Sequence, residues 1–124
     1  MLINPSELTS KVIGRAIAVH RELGPGLLES AYARCLQLSL QEAGLEFACE
    51  VPIPVTFQGT QVDCAYRADL IVERALLVEI KSVSRLDKVH HAQTLTYLRL
   101  LHLREGLLIN FNVSLLKHGI RRFL

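Results

Sequence analysis

Tryptophan is absent from this chain, and cysteines, aromatic residues and long apolar runs are few or missing. The three cysteines, Cys35, Cys49 and Cys64, form no Cys-x-x-Cys pair and no Cys/His spacing typical of a metal site. No run of eighteen apolar residues is present, and the amino-terminal residues do not resemble a cleavable signal segment. We therefore expect a cytoplasmic protein with no membrane partner, whose cysteines are reduced and buried as small apolar side chains.

Several common catalytic motifs are also missing. No His-Glu-x-x-His motif occurs, and the adjacent His90 and His91 would diverge by about 100° on a helix, which argues against a shared zinc ion. The turn Gly24-Pro25-Gly26 lacks the Lys-Ser/Thr pair of a phosphate-binding loop, and there is no Gly-x-Ser-x-Gly nucleophile elbow. These absences argue against zinc enzymes, P-loop nucleotide-binding proteins and serine hydrolases.

Apolar residues are abundant for a chain of this size. With 124 residues, 50% of them hydrophobic, we expect a single domain spanning 1–124. A domain this small keeps much of its chain at the surface, and the leucine-rich stretch 95–103 covers more of a helix than one core contact needs. We therefore predict a homodimer or a larger homo-oligomer.

Charge is distributed unevenly along the chain. Residues 1–80 hold 6 Lys/Arg against 10 Asp/Glu, a net charge of −4, whereas residues 81–124 hold 8 against 2, a net charge of +6. A basic half beside an acidic one suits a polyanionic substrate that approaches a metal site. Ordinary surface charge is the alternative explanation.

The order of predicted elements is α-α-β-β-β-α-β, followed by a short last strand. Asn4-Pro5-Ser6-Glu7 is typical of a helix start, and Gly24-Pro25-Gly26 of a helix end. Periodicity and turn signals predict helices over 5–23, 27–43 and 86–103, and strands over 51–57, 61–72, 76–83, 106–111 and 119–124. Pro52 and Pro54 mark the first strand as an edge strand or a bulged one. This order predicts a mixed α/β fold.

Two carboxylates and a lysine meet in a predicted hairpin. The apolar runs on either side of Arg74 predict a hairpin that is symmetric about this residue. Asp69 then lies opposite Glu79, with the Cβ atoms roughly 5 Å apart, and Lys81 shares their face. Opposed carboxylates are destabilising unless a cation lies between them, so the pattern favours a divalent metal ion. The alternative is a solvated strand face on which Lys81 forms a weak surface ion pair.

Three more polar side chains are candidates for the same site. Gln93 and Tyr97 are four residues apart and project from one face of the third helix, where Tyr97 forms a stripe with Val89 and Leu101. Core packing accounts for at least part of Tyr97, whereas a core-facing Gln93 needs a polar partner. Glu29 lies near the start of the second helix, where the helix dipole favours a carboxylate. Alternatively, Glu29 is a third acidic group at the metal.

A family resemblance joins these motifs. The segment 26–32, Gly-Leu-Leu-Glu-Ser-Ala-Tyr, resembles the motif that names the GxxExxY protein family, a branch of the PD-(D/E)xK nuclease-like superfamily. The resemblance continues through Arg67-Ala68-Asp69-Leu70, Val78-Glu79-Ile80-Lys81, the His90, Ala92, Gln93 and Tyr97 positions, and 106–111, and it covers about residues 10–123. It implies an α/β fold with a mixed sheet and a restriction-endonuclease-like core of order ααβββαβ(β).

The resemblance also implies metal-dependent hydrolysis of phosphodiester bonds in DNA or RNA. Asp69, Glu79 and the backbone carbonyl of Ile80 would hold Mg²⁺ or Mn²⁺, hard ions that prefer oxygen ligands, and Glu29 resembles a further acidic ligand. Lys81 would orient the attacking water, and Gln93 and Tyr97 would position substrate or active-site groups. Ala68 replaces the proline of the superfamily motif. The alternatives are a non-catalytic nucleic-acid-binding or self-assembling protein, and an enzyme that acts on another phosphate or a sugar.

Overall fold

The computed structural model describes residues 5–63 and 66–124. Its helices are α1 (Pro5–Leu23), α2 (Glu29–Glu42) and α3 (Lys88–Leu101), and a 3₁₀ turn covers Leu116–Gly119. Its strands are β1 (Phe47–Pro52), β2 (Val55–Phe57), β3 (Thr60–Val62), β4 (Arg67–Val72), β5 (Leu76–Lys81), β6 (Glu105–Asn110) and β7 (Ile120–Phe123). Within these described ranges, no helix has the length and apolar character needed to cross a membrane.

Five strands form a mixed sheet in the order β1-β4-β5-β6-β7. Only the β5–β6 pair is parallel; the other pairs in this sheet are antiparallel. Parallel neighbours need a long crossover, and α3 supplies it between β5 and β6. The predicted mixed α/β class is therefore confirmed, as are the three helices and the two strands that follow α3.

The core lies on both faces of the sheet. Helices α1 and α2 cover one face, where buried positions of α1 recur at the helical spacing that the sequence predicts: Leu8, Val12, Ala16 and Val19. Helix α3 covers the other face, packing Tyr97 and Leu98 against Leu77 and Leu108. Since β5 and β6 are buried on both faces, they are apolar almost throughout.

The two strands predicted over 51–57 and 61–72 are wrong in their bounds. The structure divides this region into the edge strand β1, a separate β2–β3 hairpin and the sheet strand β4. Pro52 and Pro54 have no N–H to continue the sheet ladder, so the chain leaves the sheet there. Gln58 and Gly59, both with positive φ, then form the hairpin turn.

The expectation that the cysteines are buried is only partly met. Cys35 is half-buried on α2, but Cys49 is exposed on the edge strand β1. The burial prediction is therefore wrong for Cys49, because an edge strand of this sheet exposes most of its side chains. Cys64 lies outside the described residues.

Candidate active site

The hairpin of β4 and β5 has the symmetry that the sequence predicts. Its paired residues, Leu70 with Val78, Ile71 with Leu77 and Val72 with Leu76, are centred on Arg74. Glu73 and Arg74 adopt positive φ angles of 52° and 58°, which suits a tight two-strand connection. Asp69 and Glu79 are the next positions beyond this ladder, so the register brings both carboxylates to its end.

The carboxylates of Asp69 and Glu79 each accept a hydrogen bond from a backbone N–H of the opposite strand. The backbone N–H of Asp69 donates to Oε2 of Glu79 at 2.8 Å, and the backbone N–H of Ile80 donates to Oδ2 of Asp69 at 2.7 Å. Each carboxylate therefore replaces a backbone acceptor of the opposite strand. These two bonds fix the position of both acidic groups at the end of the hairpin.

Both carboxylates are unusually hard to ionise. Glu79 is 3% exposed, and burial together with the negative charge of Asp69 raises its pKa to about 8. Burial also raises the pKa of Asp69 above its ordinary value. Lys81 and the backbone hydrogen bonds favour the ionised forms, but they do not offset desolvation. Ionisation of both carboxylates is therefore unfavourable in the folded protein without a further cation.

Lys81 and α3 form the next part of the site. Lys81 is half-buried, and its Nζ donates to Oε1 of Gln93 at 3.4 Å. Tyr97 follows Gln93 by one turn of α3, and burial, followed by the charge of Glu79, raises the pKa of Tyr97. The structure therefore brings Gln93 and Tyr97 to Lys81 and Glu79. Val89, which the spacing placed in the same stripe, is exposed instead, so that assignment is wrong.

Glu29 approaches the carboxylate pair from the other side of the hairpin. It is the first residue of α2, and its Oε2 accepts a hydrogen bond from the backbone N–H of Ser82 at 3.4 Å. Its charge contributes to the raised pKa values of Asp69 and Glu79. The structure thus places all six predicted side chains, Glu29, Asp69, Glu79, Lys81, Gln93 and Tyr97, around one end of the sheet.

Two residues that hold Glu29 in place were not predicted to have this role. The Tyr32 hydroxyl donates to the carbonyl of Gly24 at 2.5 Å and accepts from the N–H of Leu27 at 3.1 Å. Ser82 Oγ donates to the carbonyl of Leu27 at 2.6 Å. The loop that leads into Glu29 is therefore tied both to α2 and to the residue after Lys81. The position of Tyr32, three residues after Glu29, was the available sequence signal.

Asn110 fixes the loop that follows Lys81 by hydrogen bonds, as Tyr32 and Ser82 fix the loop before Glu29. It is 2% exposed and lies beside Lys81 in the parallel β5–β6 register. Its Oδ1 accepts from the N–H of Val83 at 3.0 Å, and its Nδ2 donates to the carbonyl of Val83 at 2.9 Å. A Cβ on Gly119 would overlap the backbone carbonyl of Asn110, so only glycine fits there without a shift. The apolar strand 106–111 gave no signal for this role of its asparagine.

The donor chemistry fits a hard divalent ion. Across 5–63 and 66–124, no group of three or more His, Cys, Asp or Glu side chains is arranged to hold a metal. Mg²⁺, however, often binds through one or two carboxylates and keeps its waters, which Asp69 and Glu79 satisfy. The N–H and C=O of one extended residue point to the same strand edge, so the Ile80 carbonyl faces Asp69. Burial and the charge of Asp69 raise the pKa of Glu79, and a cation here would offset both effects by favouring the ionised carboxylate.

A family comparison agrees with this geometry. The model described as the PD-(D/E)XK nuclease superfamily matches residues 6–123. The chain belongs to the PD-(D/E)XK nuclease superfamily. Three helices and a mixed sheet are consistent with a PD-(D/E)XK nuclease-like fold, and the (D/E)-x-K letters of the name correspond to Glu79-Ile80-Lys81. No curated protein and no solved structure matches the chain significantly. Membership indicates a nuclease-type function, while the roles of the individual residues stay predictions.

Proposed function

We propose that this protein is a Mg²⁺- or Mn²⁺-dependent nuclease that hydrolyses phosphodiester bonds in DNA or RNA. The observation that carries the proposal is the Asp69–Glu79 pair, bonded across one hairpin beside Lys81, in a chain of the PD-(D/E)XK nuclease superfamily. The geometry around Glu29 and Tyr32 further supports assignment to the GxxExxY branch, because both residues of that motif serve this site.

The metal ligands would be oxygens from two strands and one helix. Asp69, Glu79 and the Ile80 carbonyl would hold the ion, and Glu29 would supply a further carboxylate from α2. When bound, the ion supplies positive charge to the phosphate and lowers the pKa of a coordinated water. Such a charge favours the ionised form of Glu79, whose pKa is about 8 without it, so ion binding and deprotonation of Glu79 are coupled.

Lys81 would act on the water and on the developing phosphate charge. Its Nζ is held by Gln93, which fixes the ammonium on the carboxylate face of β5. A preorganised ammonium stabilises negative charge that grows in the transition state. Tyr97 and Gln93 would thus position Lys81, and the bonds of Ser82 and Asn110 would fix the loop that follows it.

Self-association is a second proposal, carried by exposed apolar side chains. Leu38 on α2 and Val89 and Leu95 on α3 are exposed, and contact with a second copy of the chain would remove their apolar surface from water. We infer a homodimer or a larger homo-oligomer in the cytoplasm, which is compatible with nuclease activity and with a non-catalytic, self-assembling function. Sedimentation across a wide concentration range tests it, and a constant monomer mass would refute it.

A cleavage assay tests the nuclease proposal. Labelled single- and double-stranded DNA and RNA are incubated with Mg²⁺, Mn²⁺ or EDTA. We expect cleavage that requires the ion and disappears in Asp69→Asn, which keeps the side-chain volume but removes a charged ligand. Lys11→Ala, an exposed lysine on α1, serves as a matched control and should cleave normally. A wild-type protein that leaves every substrate intact with both ions would refute the proposal in favour of a non-catalytic function.

A further inference from the structure

Two aromatic side chains remain exposed beside the candidate site. In the part of the chain that the structure describes, Phe57 and Tyr66 are the exposed Phe and Tyr residues. Phe57 ends β2 in the small hairpin, and Tyr66 lies directly before β4, three residues from Asp69. An aromatic ring normally buries a large apolar area, yet Tyr66 is 45% exposed. Part of its ring surface is therefore available to a ligand.

The Tyr66 ring is held in place although it is exposed. The carbonyl of Tyr66 accepts a hydrogen bond from the backbone N–H of Ile53 at 3.0 Å and another from Nη1 of Arg67 at 3.4 Å. Its ring also packs against the Tyr97 ring, with centroids 6.1 Å apart and an interplanar angle of 56°. This tilted contact orders one part of the ring and leaves the rest open, as a stacking surface for a flat ligand requires.

The open ring adjoins the acidic pair. Tyr97 contacts Tyr66 and also lies close enough to Glu79 and Asp69 for their charges to act on it. Two cations flank this region: Lys81 at the end of β5 and the exposed Arg67 at the start of β4. The positive charges of Lys81 and Arg67 and a stacking ring thus occur together. Proteins that bind single-stranded nucleic acids use this combination, with the charges on the phosphates and the ring on a base.

We propose that Tyr66 stacks on an unpaired base next to the scissile phosphate, so that the site takes single-stranded DNA or RNA. In a duplex, bases are stacked on each other and present only their edges in the grooves, so a ring at this position has no base face to contact. Every base has such a face, and the contact therefore selects for strandedness rather than for sequence. This inference rests on the proposed nuclease function and names its substrate class.

Equilibrium binding in EDTA tests the inference without any cleavage step. The probes are single-stranded and duplex oligonucleotides of DNA and RNA that carry 2-aminopurine, whose fluorescence is quenched when it stacks. Tyr66→Ala should weaken single-strand binding by about five- to a hundredfold and should remove the quenching. Tyr66→Phe keeps the ring and should retain both. Leu115→Ala, which truncates an exposed apolar side chain just before the 3₁₀ turn, controls for a general loss of surface.

The possible results separate this inference from the nuclease proposal. Ring-dependent quenching with single strands but no cleavage under any condition would support stacking while refuting the nuclease. Cleavage of single strands by Tyr66→Ala with unchanged kcat and KM would overturn stacking and leave the nuclease intact. Equal loss of single-strand and duplex binding in Tyr66→Ala would also overturn stacking. A wild-type protein that binds neither probe in EDTA would overturn stacking, and the cleavage assay with Mg²⁺ or Mn²⁺ would decide the nuclease proposal separately.

Discussion

Replacing Glu79 with glutamine should stabilise the metal-free protein, and the gain should grow with pH. Glutamine keeps the volume of the side chain and an oxygen that accepts the hydrogen bond from the N–H of Asp69. It removes the charge that burial makes costly. Because the pKa of Glu79 is about 8 when folded and 4.5 ordinarily, the folded state binds more protons than the unfolded state between these values. The stability of the wild type therefore falls as pH rises through this interval.

The size of the effect follows from the two pKa values. The interval between 4.5 and about 8 spans roughly 3.5 pH units, and each corresponds to about 1.4 kcal/mol. Full ionisation of Glu79 in the folded protein therefore costs on the order of 5 kcal/mol. Linkage gives a loss of about 1 kcal/mol near pH 5, about 3 kcal/mol near pH 7 and almost the full cost near pH 9. Glu79→Gln should escape this loss.

Urea unfolding in EDTA at these three pH values measures the difference between Glu79→Gln and the wild type. Glu42→Gln, at the exposed end of α2, shows what the removal of a surface carboxylate does by itself. Added Mg²⁺ should reverse the order of stability, since the ion stabilises only a protein that can bind it. A difference that stays constant with pH, or that shrinks as pH rises, would refute the electrostatic description of the site.

Three further substitutions test separate parts of the account. Lys81→Ala should lower the rate of cleavage at least about a hundredfold with little loss of stability, because Lys81 supplies charge rather than core volume. Tyr32→Phe keeps the ring stacked on Phe111 but loses both hydrogen bonds of the hydroxyl. The free energy of unfolding should therefore fall by about 1–2 kcal/mol, and the Leu27 amide hydrogen should exchange with solvent faster. Gly119→Ala should cost about 1–3 kcal/mol, since the new methyl group overlaps the Asn110 carbonyl.

The lysine and glycine substitutions each have a matched comparison. Lys11→Ala removes an exposed lysine from α1 and should leave cleavage unchanged; equal losses in both lysine variants would argue against a special role of Lys81. Gly14→Ala introduces a methyl group on α1 with no atom nearby and should stabilise the helix by about 1 kcal/mol. Gly119→Ala with wild-type stability, or Tyr32→Phe with unchanged exchange at Leu27, would contradict the packing and the loop contacts described above.

The β4–β5 hairpin could be predicted because residues close together in the sequence determine it. Alternating apolar residues and a polar link fix both the strands and their centre at Arg74, and strand periodicity then places Glu79 and Lys81 on one face. Glu29 and Gln93 lie on distant segments, where helix position and periodicity made them candidates, and the resemblance to a family supplied the motifs that link them to this hairpin. The structure brings them there through contacts of the Ser82 amide and of Lys81.

The missed features depend on contacts between segments that are distant in sequence. Strand β1 begins at Phe47 rather than at 51, because pairing with β4 determines its extent. Asn110 looks like one more residue of a buried strand until its hydrogen bonds to Val83 are seen. Tyr66 precedes its strand without any periodic signal, and only the packing against Tyr97 identifies it.

Binding of Mn²⁺ measured by calorimetry tests the central claim most directly, when it is repeated at pH 7 in two buffers with different ionisation enthalpies. Since the pKa of Glu79 is about 8, most molecules carry a proton there, and an ion that binds both carboxylates must displace it. We expect saturable binding that releases close to one proton or more. Asp69→Asn and Glu79→Gln should show neither the binding nor the proton release. Absence of binding, or binding that releases no proton and persists in both variants, would contradict a metal site at Asp69 and Glu79.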